Sequence, residues 1–363
     1  EIEDEKLSHN DIKRRLRLAI NDQTSAEVAL LHLMDDLVFD FERLKTSLTE
    51  TGLNINLSHI DFPDVAQLVG LEPLWNFSDA PPFDLHRSRI PTALFRNIVA
   101  DMDILLMQYG TLQDHATEEA RSRFLAPIFN HLVALFGGFI RNTPESLING
   151  HTTTRDRVNC HFKTLGAITL VFMEVKPKNG GVEECLNAIA QMIAECDACD
   201  WNNMQLDVGM PIYGILCNGN SFQFFAFDGS TKPYKFSAGV VQGSHFRITG
   251  GLPLVDPSSE PTAGSFIHGL RPICETIFNL LLVTYIESLK MFRDMSQAAS
   301  QPGLRKCLGP VDGWDKTLKF AEEALEKSQD AEVLRRDDLI VDADATAEVA
   351  FKDFVSEIHF PTS

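Results

Sequence analysis

The stretch AITLVFMEVKPKNGG, residues 167 to 181, is mostly apolar as far as Met173 and then sets Glu174 and Lys176 two positions apart. Side chains alternate along a strand, so this acid and this base share one face at its carboxyl end. Burying such groups without partners costs several kcal/mol, so the fold must supply a salt bridge or a water-filled metal site. Asp156 stands eighteen positions upstream, just before the strand-like run RVNCHFK. A hairpin that folds the two runs together carries its carboxylate toward Glu174. Two carboxylates and the backbone carbonyl of Val175 form a hard oxygen set suited to Mg²⁺ or Mn²⁺, ions that keep waters and accept phosphate oxygens. Lys176 then holds or deprotonates an attacking water, or offsets charge on the phosphate. In the helix that follows, Asn187, Gln191 and Glu195 recur at i, i+4 and i+8, opposite Leu186, Ile189 and Ile193, and Gln191 reaches toward the same cleft.

The elements that must position these groups are marked by local signals. RVNCHFK and AITLVFMEVK are β-rich runs joined by TLG, a tight hairpin. EECLNAIAQMIAECDACDW has helical period, and PIYGILCNGNSFQFFAFDGS reads as two strands around Asn218-Gly219. Upstream, TALFRNIVADMDILLMQYG aligns Leu94, Ile98, Met102, Leu105 and Leu106, and ATEEARSRFLAPIFNHLVALFGGFI makes a second helix that Pro127 can kink and Gly137-Gly138 can end. Residues 71 to 92, with four prolines and little periodicity, read as a loop or linker. Before them, Thr24 and Glu27 form a capping box, and Leu30, Met34, Leu37, Phe41, Leu44 and Leu48 make one apolar stripe. That stripe serves packing within the domain or, as a coiled coil of about three heptads, the seam of a homodimer. From residue 262 the pattern is helical again, with a Gly/Pro-rich break at QPGLRKCLGPVDG.

The succession of an acid-bearing helix, a hairpin with Asp156, the Glu174-Val175-Lys176 strand, a Gln191-bearing helix and the YGILCNG strand pair resembles the PD-(D/E)XK nuclease superfamily. It resembles especially eukaryotic Crinkler-like and fungal spore-killer-type members, in which such a domain is embedded in helical extensions. The resemblance covers about residues 110 to 235. It implies an α/β, restriction-endonuclease-like central mixed sheet flanked by helices, with Asp156 and Glu174 as metal ligands, Lys176 as catalytic lysine and Gln191 as auxiliary helix residue. Glu119 or Glu118 is then the acid of the family's first helix and a further ligand. Arg155 stands where the family has proline, and Asn159 competes for the place of Asp156 if the hairpin register shifts. The implied division is a helical N-terminal extension over 1–92, a nuclease-like core over 93–250 and a helical C-terminal extension over 251–363 packing on that core. The implied activity is Mg²⁺- or Mn²⁺-dependent hydrolysis of DNA or RNA; the alternative is a nuclease-fold interaction or regulatory module that no longer cuts.

Bulk properties bear on that choice. The 363 residues carry a formal net charge of -19, which opposes unguided approach to a phosphate backbone. Arg121, Arg123, Arg155, Arg157, Lys163, Lys176 and Lys178 are nonetheless expected around the cleft. The KRRLR cluster at 13 to 17 reads as a solvated helix face, and His151 and His161 as surface or strand-packing residues. Seven cysteines without a disulfide-framework spacing fit a reducing, cytoplasmic or nuclear setting, and Cys196 and Cys199 read as structural thiols, since a second pair is missing. No window approaches the ~18 uninterrupted apolar residues of a membrane span. The longest, 273 to 289, is broken by Glu275, Asn279 and Glu287 and reads as a buried helix. Phosphate-loop, serine-hydrolase, zincin and kinase signatures are missing from the sequence. The chain does not begin with Met, so a fragment of a longer protein is expected.

Overall fold

Strands β3 (Asp156–Thr164) and β4 (Ala167–Glu174) form the hairpin expected from their alternation. Leu165 (φ 53°) and Gly166 (φ 100°) both adopt positive φ, the geometry of a two-residue turn whose twist matches that of the strands it joins. Pairing runs Cys160↔Phe172, His161↔Val171 and Phe162↔Leu170, then shifts to Lys163↔Ile168. Thr169 is the extra residue of this bulge, and its hydroxyl lies 2.8 Å from that of Thr164. The bulge inverts the alternation, so Ile168 and Leu170, two residues apart, enter different cores.

This computed structural model describes residues 62–72, 80–110, 118–148, 156–174, 182–206, 208–217, 221–241, 252–253, 263–298 and 311–357. The apolar stripe at 30 to 48, the KRRLR cluster, His151, Val175 and Lys176 lie outside them. β2 (Ile140–Ile148) pairs antiparallel with β3 at the sheet edge. On the other side of the hairpin, helix α4 (Val182–Met204) makes the crossover that lets β5 (Ile212–Cys217) pair parallel with β4. β6 (Ser221–Asp228) and β7 (Lys235–Val241) continue antiparallel, β1 (Pro82–Leu85) adds parallel to β7, and the short β8 (Leu252–Pro253) pairs with β6. The main path is β1-β7-β6-β5-β4-β3-β2, a mixed sheet.

Two apolar cores lie on its two faces. On one, Ile168, Val171, Ile212, Leu216, Phe225 and Phe236 meet Ile189 and Ile193 of α4, with α1 (Phe62–Ala66) and the 3₁₀ turn Gln67–Val69 in the same cluster. On the other, Phe162, Leu170, Ile215 and Phe224 meet α2 (Thr92–Tyr109), α3 (Glu118–Ala134), α5 (Ala263–Ala298), α6 (Val311–Arg336) and α7 (Ile340–Glu357). The C-terminal helices thus share the core of the sheet. Within α5, Phe266–Met295 is long and apolar enough to cross a membrane by length and composition. Leu281, Leu282 and Tyr285 are buried, as is Glu275, consistent with the buried-helix reading.

The segment read as a loop or linker over 71 to 92 contains β1 and a buried anchor. Ser88 N–H donates to the Glu275 carbonyl and Arg89 N–H to that of Ser328, while Ser88 Oγ donates to Asn279 Oδ1 at 2.8 Å. β1 escapes sequence reading because its partner is remote (Pro82↔Ala238), and its proline is tolerated as the first residue of an edge strand. Gly239 makes the docking possible: a Cβ there would collide with Leu85 Cδ1 and crowd Phe224.

Candidate active site

Directly paired residues in a ladder point to the same face, so Cys160↔Phe172 fixes the parity of the whole hairpin. Positions 156, 158 and 160 of β3 share a face with positions 172 and 174 of β4. β3 remains in regular pairing to its first residue, since Ile148↔Asp156 is part of the β2 ladder. Continued at the same register, β3 and β4 make Asp156 and Glu174 diagonal neighbours, a relation that separates Cα atoms by about 7–8 Å. Glu174 is paired in turn with Cys217 of β5, which belongs to the core beneath α3 and α5. Asn159, of opposite parity, falls on the α4 face.

α3 covers the same face. Phe124, Leu125, Ile128, Phe129 and Leu132 are its buried side, and Phe129 stacks on Phe162 with centroids 5.2 Å apart. Its C-terminal end leads to Phe139, whose carbonyl accepts from Leu165 N–H at the β3–β4 turn. Its N-terminal end therefore points to the opposite end of the sheet. From Phe129 back to Glu119 is ten helical residues, about 15 Å; from Phe162 back to Asp156 is six strand residues, about 20 Å. Asp156 and Glu174 thus stand at one end of the hairpin, and α3 begins at Glu118 and Glu119. Arg121 and Arg123 follow on the first turns of α3, and Arg157 follows Asp156. Lys163, expected near the cleft, is at the other end of β3, roughly 23 Å along the strand from Asp156.

Gln191 is placed on α4, which packs on the other face of the sheet. Every residue from Ala188 to Asp200 is buried except Gln191, which is half-buried and donates from Nε2 to Glu195 Oε1 at 3.0 Å. Among the described residues no group of three or more His, Cys, Asp or Glu side chains gathers as a metal set. Cys196 and Cys199 are buried free thiols, and burial raises the pKa of both well above the usual range, so neither is poised as a thiolate. His161 is buried on β3; burial, with Lys163 adding to it, pushes its imidazole down to about 4 and keeps it neutral.

Sequence reasoning missed one polar assembly. Arg87 donates to Glu275 Oε2 at 2.6 Å, Arg271 to Oε1 at 3.0 Å, and Arg89 to Asp344 Oδ1 at 2.7 Å. The network ties the segment after β1 to α5, α6 and α7. Its available signal was Glu275 and Asn279 inside an otherwise apolar helix, positions that require partners.

No protein-family model matches the chain, and no curated protein matches it.

Proposed function

We propose that the chain is a metal-dependent phosphodiesterase acting on DNA or RNA, built on a PD-(D/E)XK-type core. The observation that carries the reading is the antiparallel β3–β4 ladder, whose register makes Asp156 and Glu174 diagonal neighbours along the backbone; Glu118 or Glu119 would join them from the start of α3. Supporting it, α3-β2-β3-β4-α4-β5 is an antiparallel meander followed by a helical crossover to a parallel strand, the order in which the resemblance places its motifs. Carboxylates and a backbone carbonyl are hard oxygen donors, a donor set that fits Mg²⁺ or Mn²⁺.

Asp156, Glu174, the Val175 carbonyl and Glu118 or Glu119 would hold the ion. When bound, it supplies Lewis acidity and lowers the pKa of a coordinated water. Lys176 would orient the attacking water or balance charge on the phosphate. Gln191 stands on the helix that packs on the opposite face and is engaged with Glu195, so the auxiliary role expected of it is not part of this reading. Arg123, on the exposed side of α3, would add local positive charge for the phosphate backbone. The net charge of -19 favours a second reading, a nuclease-fold module that binds partners without cutting.

Cleavage of labelled single- and double-stranded DNA and RNA with Mn²⁺ separates the two. The wild type is expected to cut, and Glu174→Ala and Lys176→Ala to lose about 10²–10⁴-fold in rate with an unchanged Tm. Cleavage that persists in both variants refutes the catalytic assignment, and no cleavage by any form favours the binding module.

A further inference from the structure

β4 is apolar toward both faces of the sheet: Leu170 enters one core and Val171 the other, and both are fully buried. A one-residue slip of such a strand exchanges its faces and still buries apolar side chains on each, so burial alone specifies its register weakly. With the turn at Leu165-Gly166 kept and no bulge, Thr169 would oppose Phe162 and Val171 would oppose Cys160. Position 174 would then share a face with Arg157 and Asn159 instead of Asp156. The observed pairing of Phe162 with Leu170, past Thr169, restores the register that makes 156 and 174 diagonal neighbours.

A side chain from another element holds that bulge. Asn203, fully buried near the end of α4, donates from Nδ2 to the Ile168 carbonyl at 2.6 Å, and its Oδ1 accepts from Ile168 N–H at 2.8 Å. Thr164↔Ala167 closes the turn, so at the next pair the alternation of an antiparallel ladder directs the main-chain groups of Ile168 away from β3. On that side the β4–β5 ladder begins only at Leu170↔Tyr213. The Asn203 amide stands in for the missing strand and satisfies two buried backbone groups that are costly to leave unpaired. Its own carbonyl accepts from Leu206 N–H at 2.9 Å and Val208 N–H at 3.0 Å, which fixes the end of the helix. The buried hydroxyls of Thr164 and Thr169, 2.8 Å apart, secure the extra residue itself.

We infer that Asn203 is a positioning residue of the proposed site, holding Glu174 in register with Asp156 through the bulge at Ile168, a role whose purpose rests on the catalytic reading above. Six strand residues, about 20 Å, separate Ile168 from Glu174, so Asn203 touches neither metal nor substrate. It acts by excluding the slipped pairing, in which the two acids fall on opposite faces. Thr169 is the complementary element: without it, Lys163↔Ile168 and Phe162↔Leu170 would follow one another in a regular ladder and need no clamp.

The test uses the full chain and two readouts. In a Phe172→Cys background, oxidation and peptide mapping are expected to find a disulfide between Cys160 and position 172, since directly paired positions lie within its reach. Adding Asn203→Ala is expected to lose most of that bond, and in a Val171→Cys background to create one between 160 and 171. The second readout is the rise in Tm with Mn²⁺. Asn203→Ala is expected to abolish the rise, and deletion of Thr169 in the same chain to restore it without restoring the Tm lost to the unpaired groups of Ile168. An Asn203 that merely stabilises the fold would lower Tm and leave both readouts as in the wild type. Should Asn203→Ala fail to fold, Asn203→Ser, whose single hydroxyl cannot span both groups, carries the same measurements. An intact 160–172 bond or a wild-type Mn²⁺ response in the Asn203 variant overturns the inference, as does a Thr169 deletion that rescues nothing. A wild type indifferent to Mn²⁺ rejects the catalytic reading instead, while the disulfide still decides whether Asn203 sets the register.

Discussion

Glu275 and Glu174 are both acids in largely apolar elements, and the fold treats them oppositely. Glu275 is fully buried in α5 with guanidinium groups around it: Arg87 at 2.6 Å, Arg271 at 3.0 Å and Arg89 at 3.9 Å. Opposite charges there join remote segments, and the network closes the structure. Glu174 ends a central strand whose antiparallel neighbour begins at Asp156, and α3 begins at Glu118-Glu119. On the proposed reading, these acids would share a cation, and local departures from self-consistency are where function is expected. An acid enclosed by bases holds a fold together; on the proposed reading, the acids at the end of the sheet would hold a cation.

The contrast breaks most visibly if Glu275 is dispensable. Glu275→Ala removes the buried carboxylate shared by Arg87, Arg89 and Arg271, leaving Glu332 and Asp344 as their remaining partners, and is expected to cost about 3–5 kcal/mol in urea unfolding. A loss below about 1 kcal/mol would show the network to be no more than a surface-like arrangement. His161 sharpens the comparison as a buried polar group kept uncharged. Its folded pKa, about 4, lies below the unfolded value, so as pH falls below about 6.5 the unfolded chain takes up a proton that the folded one refuses. Stability is therefore lost progressively between those two values, by at most about 3 kcal/mol. His161→Gln should flatten that part of the stability profile; an unchanged slope means other groups govern acid unfolding. The smallest effect belongs to the acid end. Asp156→Asn without metal is expected to leave stability unchanged or raise it by up to about 1 kcal/mol, through relief of like-charge repulsion. A loss of more than about 2 kcal/mol would place Asp156 in a structural pair and dissolve the distinction.

Much of this was legible because the signals are local. The β3–β4 hairpin, the β5–β6 pair around Asn218-Gly219 and the periodic helices each announce themselves within a few residues. β1, β2 and β7 do not. β2 carries Pro144 and polar residues, tolerable only because it is an edge strand. β1 becomes a strand solely by pairing with β7, some 150 residues away. The Arg87–Glu275 bond spans 188 positions, beyond any periodicity. At the candidate site, alternation placed Glu174 and Lys176 together, but the choice between Asp156 and Asn159 needed the ladder, where one step of register exchanges the faces. Along α2, only packing reveals that Met102 is buried and Met107 exposed.

The most direct test of the central claim is thermal unfolding with and without Mn²⁺ for the wild type, Asp156→Asn and Glu174→Gln. A cation held by the folded state stabilises it by mass action, by about 2.7 kcal/mol at a hundredfold excess over Kd. The account predicts a Tm that rises with Mn²⁺ in the wild type and stays flat in both variants. A wild type indifferent to the ion, or variants that respond as the wild type does, would contradict it.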